Sequence, residues 1–419
     1  MKRALSWSVH FVACLPVVLV LKMQPAEADT TCHPDAQRIK FAMPVVMTGP
    51  AHLIGHDIGT IGAFAYSRSQ KTWKEIQIQV DERNRNGDLV LSEGLPFTKA
   101  TDNGIFDQND EVISSLDDWG DDFIDSQIPA KIAGSFTTSW KLHICVGQTY
   151  SGTLLIGDLK LRRFEKKSPS VKFNTAEQFV ETEIYRYQFN RKRAALLGQV
   201  FFKSGNRETP VFESSNFRMP LVTPWYAPDL NLSDDSFVSE IESWQEGPLR
   251  TVVAVGVKFK NFLSIFDFHM FSELVFYKSS FQIPTKIEFK FDPKSYLKQG
   301  SGIAYAVKLT DPKSWSISTN LIDLPVSAEA SQMSTAIQRM TRYSAEGRGA
   351  EMNFAMRVMV DPKAASQTSP PYFISSETLR NQTRLSAWQG FSGLSGDLGI
   401  FIDFSGVSAG LYDFGLDLI

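Results

Sequence analysis

Residues 102–125 (DNGIFDQNDEVISSLDDWGDDFID) hold nine carboxylates and no lysine or arginine. Carboxylates so closely spaced repel one another, and a hard cation that takes six to eight oxygen ligands is the usual remedy. Asp102, Asp107, Asn109 and Glu111 lie two to five residues apart around Gly104, so one turn can direct several oxygens inward, and Ca²⁺ is the expected ion. A solvated acidic loop is the competing reading. Upstream, Glu82, Asn84, Asn86, Asp88 and Glu93 fall in the register of a calcium-binding loop, with Gly87 near the position of its sharp turn. Asn-Gly is also the favoured two-residue hairpin connection, and that plainer reading is preferred for this segment. Asp117, Asp118, Asp121 and Asp122 surround Trp119 and read as surface carboxylates, leaving an exposed indole able to stack on a sugar ring.

Other residues with chemical potential are scattered. His52 and His56 have metal-ligand spacing for a helix, but Gly55 and Gly59 oppose a helix, so two loop histidines are expected. His143 lies in an apolar strand pattern, and His269 in an aromatic one (Phe-Asp-Phe-His-Met-Phe). No G-x-S-x-G elbow and no phosphate-cradling glycine loop occurs. Were the chain an enzyme on carbohydrate, His269, Tyr226 and Tyr305 would be the general-base candidates. Trp225, Tyr226 and Trp244 form a sugar platform in one reading and fill the core in the other.

The elements that must position these residues belong to an export-type chain. Lys2 and Arg3 precede an apolar run over residues 9–21, and Ala26 and Ala28 flank Glu27, so residues 1–28 read as a cleaved signal peptide. The run is too short for a membrane anchor, and no later segment reaches 18 apolar residues. Cleavage would move the formal charge from -3 to about -5, which argues against a nucleic-acid partner. It would also remove Cys14, leaving Cys32 and Cys145 as an expected disulfide in a periplasmic or extracellular setting.

Period-two patterning dominates the rest. In KEIQIQV, Ile76, Ile78 and Val80 alternate with Glu75, Gln77 and Gln79, and the chain carries 31 phenylalanines. Residues 328–345 carry the one helical pattern, which a long loop would also satisfy. The expectation is all-β. A basic, proline-containing stretch at 160–172 divides an immunoglobulin-like sandwich over 29–160 from a large two-sheet β-sandwich over 173–419. A transmembrane barrel is the rival, disfavoured by the irregular charged and proline-rich segments.

Ile78-Gln-Val-Asp-Glu, then Asp102-Asn-Gly-Ile-Phe-Asp and Asn109-Asp-Glu-Val-Ile-Ser, resemble a recurring pattern of uncharacterised exported bacterial β-proteins. Glu246-Gly-Pro-Leu-Arg-Thr-Val and Glu273-Leu-Val-Phe-Tyr are similar to a later segment of that group. The chain is also distantly similar to polysaccharide-lyase-associated proteins, which implies an immunoglobulin-like front and a mutarotase-like supersandwich behind. The resemblance implies a fold and transfers no catalytic residue. Together these features predict a non-catalytic binding protein for a carbohydrate or another cell-envelope component. The alternatives are a lyase- or epimerase-like enzyme and a structural partner in an envelope complex.

Overall fold

In a computed structural model of the chain the alternating segments are strands. Only two single-turn α-helices, Ala130–Ala133 and Pro293–Tyr296, occur among the described residues. The structure describes residues 19–22, 37–38, 44–94, 103–146, 150–161, 169–224, 229–259, 268–310, 316–319, 342–348, 353–361, 372–374 and 397–418. The protein is an all-β sandwich with mostly antiparallel sheets, and it divides into two compact units. The first comprises residues 1–171 with two returning segments, 245–251 and 277–279; the second comprises 172–244, 252–276 and 280–419. A single linear boundary therefore does not describe the division: the ends of three later strands count with the first unit.

In the first unit a four-stranded sheet runs in the order Leu19–Lys22, Pro44–Thr48, Glu111–Ser115, Ile78–Asp81. Leu19–Lys22, the end of the expected signal segment, lies parallel to Pro44–Thr48. A second sheet joins Gln37–Arg38, Tyr150–Leu159, Ile61–Ser67 and Thr72–Ile76, with Phe136–Val146 paired to Tyr150–Leu159. Val45, Met47 and Val112 from one sheet share a core with Ile61, Ala63, Leu142, Ile144, Leu154 and Ile156 from the other. Phe64, Tyr66, Phe136 and Leu155 point the opposite way and form a second cluster with Phe123. Both faces of Ile61–Ser67 are thus covered, which is why Ile-Gly-Ala-Phe-Ala-Tyr reads as a continuous apolar run rather than an alternation.

Two expectations change here. The strand predicted over KEIQIQV is broken at Gln77 into Thr72–Ile76 and Ile78–Asp81, which lie in different sheets. In the second piece it is the polar face, Gln79 and Asp81, that is fully buried. The C-terminal part of the segment expected as a helix is the strand Arg342–Arg348, paired with Ser316–Thr319 and Asn353–Val360; residues 320–341 lie outside the described residues.

The second unit has two large sheets. One contains Tyr185–Phe189, Leu197–Ser204, Arg207–Leu221, Gly302–Leu309 and Asp397–Asp403 in that order; the other contains Asn353–Val360, Gly410–Leu418, Phe281–Phe289, Phe268–Tyr277, Arg250–Phe259 and Phe237–Glu246. The hairpin from Leu197–Ser204 to Arg207–Leu221 closes through Gly205-Asn206, with Gly205 at φ +59°, where a side chain would be strained. Tyr187, Phe189, Phe276 and Phe281 pack edge-on between sheets, with ring centroids of 5.0 Å from Tyr187 to each of the other three.

Candidate functional site

Asp81 and Glu111 face each other in register on neighbouring antiparallel strands, a placement that is repulsive unless a cation intervenes. Arg250, 2% exposed, is that cation. Its Nε donates to Asp81 Oδ2 at 2.6 Å, its Nη2 to Glu111 Oε2 at 2.6 Å and its Nη1 to Tyr277 Oη at 3.3 Å. Arg83 Nε closes the other side of Glu111, 3.0 Å from Oε1. Gln79 Nε2 donates to both Asp81 oxygens, and Gln245 Nε2 to Oδ1. Gln79 Oε1 in turn accepts from the Leu249 and Arg250 amides, each at 2.9 Å. Two carboxylates meet two guanidinium groups, and every carboxylate oxygen is engaged. Burial alone would raise the pKa of Glu111, but Arg250 and Arg83 hold it below its ordinary value by charge and hydrogen bond. Gly247 is needed because a Cβ there would lie 2.3 Å from the Gln79 amide.

Glu111 therefore leaves the expected cation-ligand set. Two guanidinium groups already occupy its oxygens, and a divalent ion beside them would be repelled. The rest of the acidic loop turns inward on its own backbone. Asp110, 1% exposed, accepts from the Arg83 and Asp107 amides at 2.8 and 2.7 Å. Asp107 Oδ1 accepts from the Asn109 amide at 2.8 Å, and Asn109 Nδ2 donates to the Asn84 carbonyl at 3.3 Å. Asp102 lies outside the described residues.

The upstream segment closes as a hairpin. Asn84 Oδ1 accepts from the Asn86 and Asp88 amides, Asn84 Nδ2 donates to Asp88, and Gly87 takes φ +81°. Asn86 and Glu93 are exposed. Glu82 differs: it is buried, its Oε1 accepts from the Gly104 amide at 3.1 Å, and its Oε2 has no partner. Among the described residues no three His, Cys, Asp or Glu side chains are grouped to hold a metal. Trp119 is also not the exposed ring expected between its aspartates. It is 1% exposed within the core, and its Nε1 donates to Ser114 Oγ at 3.0 Å.

His52 and His56 are loop residues gathered on Trp140, with ring centroids at 4.7 and 5.9 Å. His56 Nδ1 lies 3.3 Å from Asp158 Oδ2. His52 Nε2 is buried without a partner, and burial, then the charge of His56, lowers its pKa to about 4. The sign follows. The unfolded imidazole binds its proton near pH 6.5 but the folded one only near pH 4, so this contribution is complete above pH 6.5 and is lost as pH falls toward 4. We expect a loss of about 1–2 kcal/mol over that window, allowing for the part of the ring that meets solvent. Thermal melts from pH 7 to pH 4 should show the fall in Tm, and His52→Phe should flatten it. An unchanged profile in that variant would contradict the assignment. His143 Nδ1 lies 2.8 Å from Thr153 Oγ1 on the paired strand.

In the second unit, Tyr305 borders a cavity of about 100 Å³ between the two sheets. Ile303, Tyr305, Phe217 and Ile402 line it from one sheet; Met270, Ser272, Ile283, Thr285 and Ile287 line it from the other. Register explains the convergence: Tyr305 is opposite Phe217, and Thr285 is opposite both Ser272 and Phe414. Ser272 and Thr285 hydroxyls bond each other at 2.8 Å. The Tyr305 hydroxyl is buried out of reach of solvent, beside Ser215 and the Leu197 amide. Burial, against hydrogen bonds from Ser215 and Leu197, pushes its pKa up to about 12, so it is protonated at neutral pH. Of the other two general-base candidates, Tyr226 lies outside the described residues. His269 stands opposite Glu288 on its strand, with its side chain outside the described residues. Trp244 packs against Phe173 at 5.6 Å.

Sequence reasoning met Arg250 only inside the motif Glu246-Gly-Pro-Leu-Arg-Thr-Val and gave it no part in the acidic tract; the other signal is a cation heading the uncharged run at residues 251–257. No family model matches the chain, and no curated protein matches it. Among solved structures, an alpha-mannosidase from Enterococcus faecalis V583 is similar at a TM-score of 0.40 and 8% identity, over 87% of this chain and 44% of the mannosidase chain. This chain thus spans less than half the length of that structure.

Proposed function

We propose that the protein is an exported, non-catalytic binding protein for a carbohydrate or another cell-envelope component, acting in the periplasm or outside the cell. The observation that carries this reading is the cavity of about 100 Å³ between the two sheets of the second unit. Aliphatic and aromatic side chains from both sheets line it, and Tyr305 on its wall keeps its proton at neutral pH, which suits holding a ligand rather than removing a proton from it. The test is a panel of glycans, polysaccharides and lipids scored for binding by thermal shift and for product by mass spectrometry. We expect one class to raise Tm without yielding product. Turnover would favour the lyase- or epimerase-like alternative, and neither binding nor turnover would favour a structural partner in an envelope complex.

The expected disulfide and cation belong to the same reading. Cys145 is buried on Phe136–Val146, and Cys32 is its proposed partner; intact mass with and without reductant decides the pairing. A Ca²⁺ ion, if bound, is best supported at Glu82, whose buried Oε2 has no partner while Oε1 accepts from the Gly104 amide. EDTA should then lower Tm and added Ca²⁺ restore it, and a Tm indifferent to both removes the ion from the account.

A further inference from the structure

We propose that the edge of Pro44–Thr48, once the signal segment is cut away, is a docking site for an extended apolar strand of another envelope protein, added parallel to it. This rests on the export reading above and names the envelope component as a peptide segment. The end of the signal segment shows the fit: Leu19, Val20, Leu21 and Lys22 pair in parallel with Val45, Val46, Met47 and Thr48. Glu111–Ser115 holds the other edge of Pro44–Thr48, so loss of residues 1–28 takes away the strand on its second edge. That edge lacks the devices that discourage pairing. Val45, Val46 and Met47 are uncharged and at most 2% exposed, the register to Glu111–Ser115 runs without a bulge, and proline stands only at the first position. Val45 and Met47 belong to the core between the sheets, while Val46 is buried on the opposite face. A strand dry on both faces suits an uninterrupted apolar run, as Leu-Val-Leu is, rather than an alternating one. The new N-terminus is a poor substitute. Residues 29–36 (DTTCHPDA) contain no Val, Leu, Ile, Met or Phe, and Gln37–Arg38 joins the other sheet beside Tyr150–Leu159. A charged segment would bring its side chains to dry faces without partners. The class selected is a run of Val, Leu or Ile at least as long as residues 19–21.

The probe is a fluorescent peptide of residues 17–24 (VVLVLKMQ), with lysines added at its C-terminus for solubility, read by anisotropy. It is titrated into the intact full chain, into the full chain carrying Val20→Pro and Leu21→Pro, and into the full chain digested with signal peptidase. Adjacent prolines remove the amides through which the signal segment pairs, whichever of them faces the edge. A tethered strand competes at an effective concentration on the order of millimolar, so the intact chain should bind the peptide at least about 10-fold more weakly than either opened form. The peptide with both prolines should bind none of them. A photo-crosslinker at the Leu19 position should label the chain near Val45, and one at Lys22 near Thr48. Labels in the reverse order make the pairing antiparallel and overturn the proposal. Equal binding to intact and opened chains, or no binding to either opened form, overturns it as well. So does an opened chain that dimerises and is not dissociated by the peptide, which would assign the edge to a second copy. Should the proline variant not fold, the digested chain carries the comparison. A chain that signal peptidase leaves whole, with the peptide bound by the proline variant, sinks the export reading and keeps the edge as a strand-docking site. Cleavage followed by no peptide binding keeps export and sinks the edge.

Discussion

Replacing Arg250 by methionine should destabilise the fold by about 3–5 kcal/mol, measured by urea denaturation at pH 7. The side chain is 2% exposed and holds Asp81 and Glu111, each at 2.6 Å, so its loss strands two buried carboxylates. Arg250→Lys should recover only part, because a single ammonium cannot fork to both acids and Tyr277. Adding Asp81→Asn and Glu111→Gln to the methionine variant should restore stability by removing the uncompensated charges. Acid tests the same network with a definite sign. The folded pKa of Glu111 is depressed, so its contribution is present above the ordinary unfolded value near 4.3 and is lost as pH falls through the folded one. The methionine variant should therefore lose less of its remaining stability in acid than the parent. A cost below about 1 kcal/mol for Arg250→Met at pH 7 would show that the network is not an internal brace.

Trp119→Ala should cost a similar amount, about 3–5 kcal/mol, through the cavity left in the first core. The indole lies in the cluster with Val45, Phe106, Leu116 and Leu154, and a Cβ on Gly152 would come within 2.8 Å of the Trp119 Cβ. Trp119→Phe keeps most of the volume but leaves Ser114 Oγ without its indole donor, so roughly 1–2 kcal/mol is expected. Sugars should leave the fluorescence of Trp119 unmoved. A folded, undiminished Trp119→Ala variant would return the ring to the surface.

These two residues mark where the sequence stops being readable. Period two is readable where one face is dry, as in Phe281–Phe289, and it persists in the strands Asp397–Asp403 and Gly410–Leu418 despite their glycines. It misassigned the faces of Ile78–Asp81, because Gln79 and Asp81 are buried by a partner 169 to 171 residues away. Local pattern carries no trace of so distant a cation. Trp119 was misread for the opposite reason. Its four flanking aspartates are polar in sequence, yet the 3₁₀ turn Leu116–Asp118 sends Leu116 and Trp119 inward. The acidic tract itself was legible as a place of close negative charge; that its relief comes from arginine and backbone amides was not. The cavity depends on the register of seven strands in two sheets, which no window of sequence contains.

The central claim is that the second unit retains an unaltered ligand between its sheets. The most direct measurement is to incubate the full chain with an envelope lipid and glycan extract, separate the protein by gel filtration, and identify what is carried through by mass spectrometry. One compound should be retained at no more than one per chain and stay unchanged in mass after prolonged incubation. A compound whose mass changes during incubation, or no compound retained at all, would contradict it.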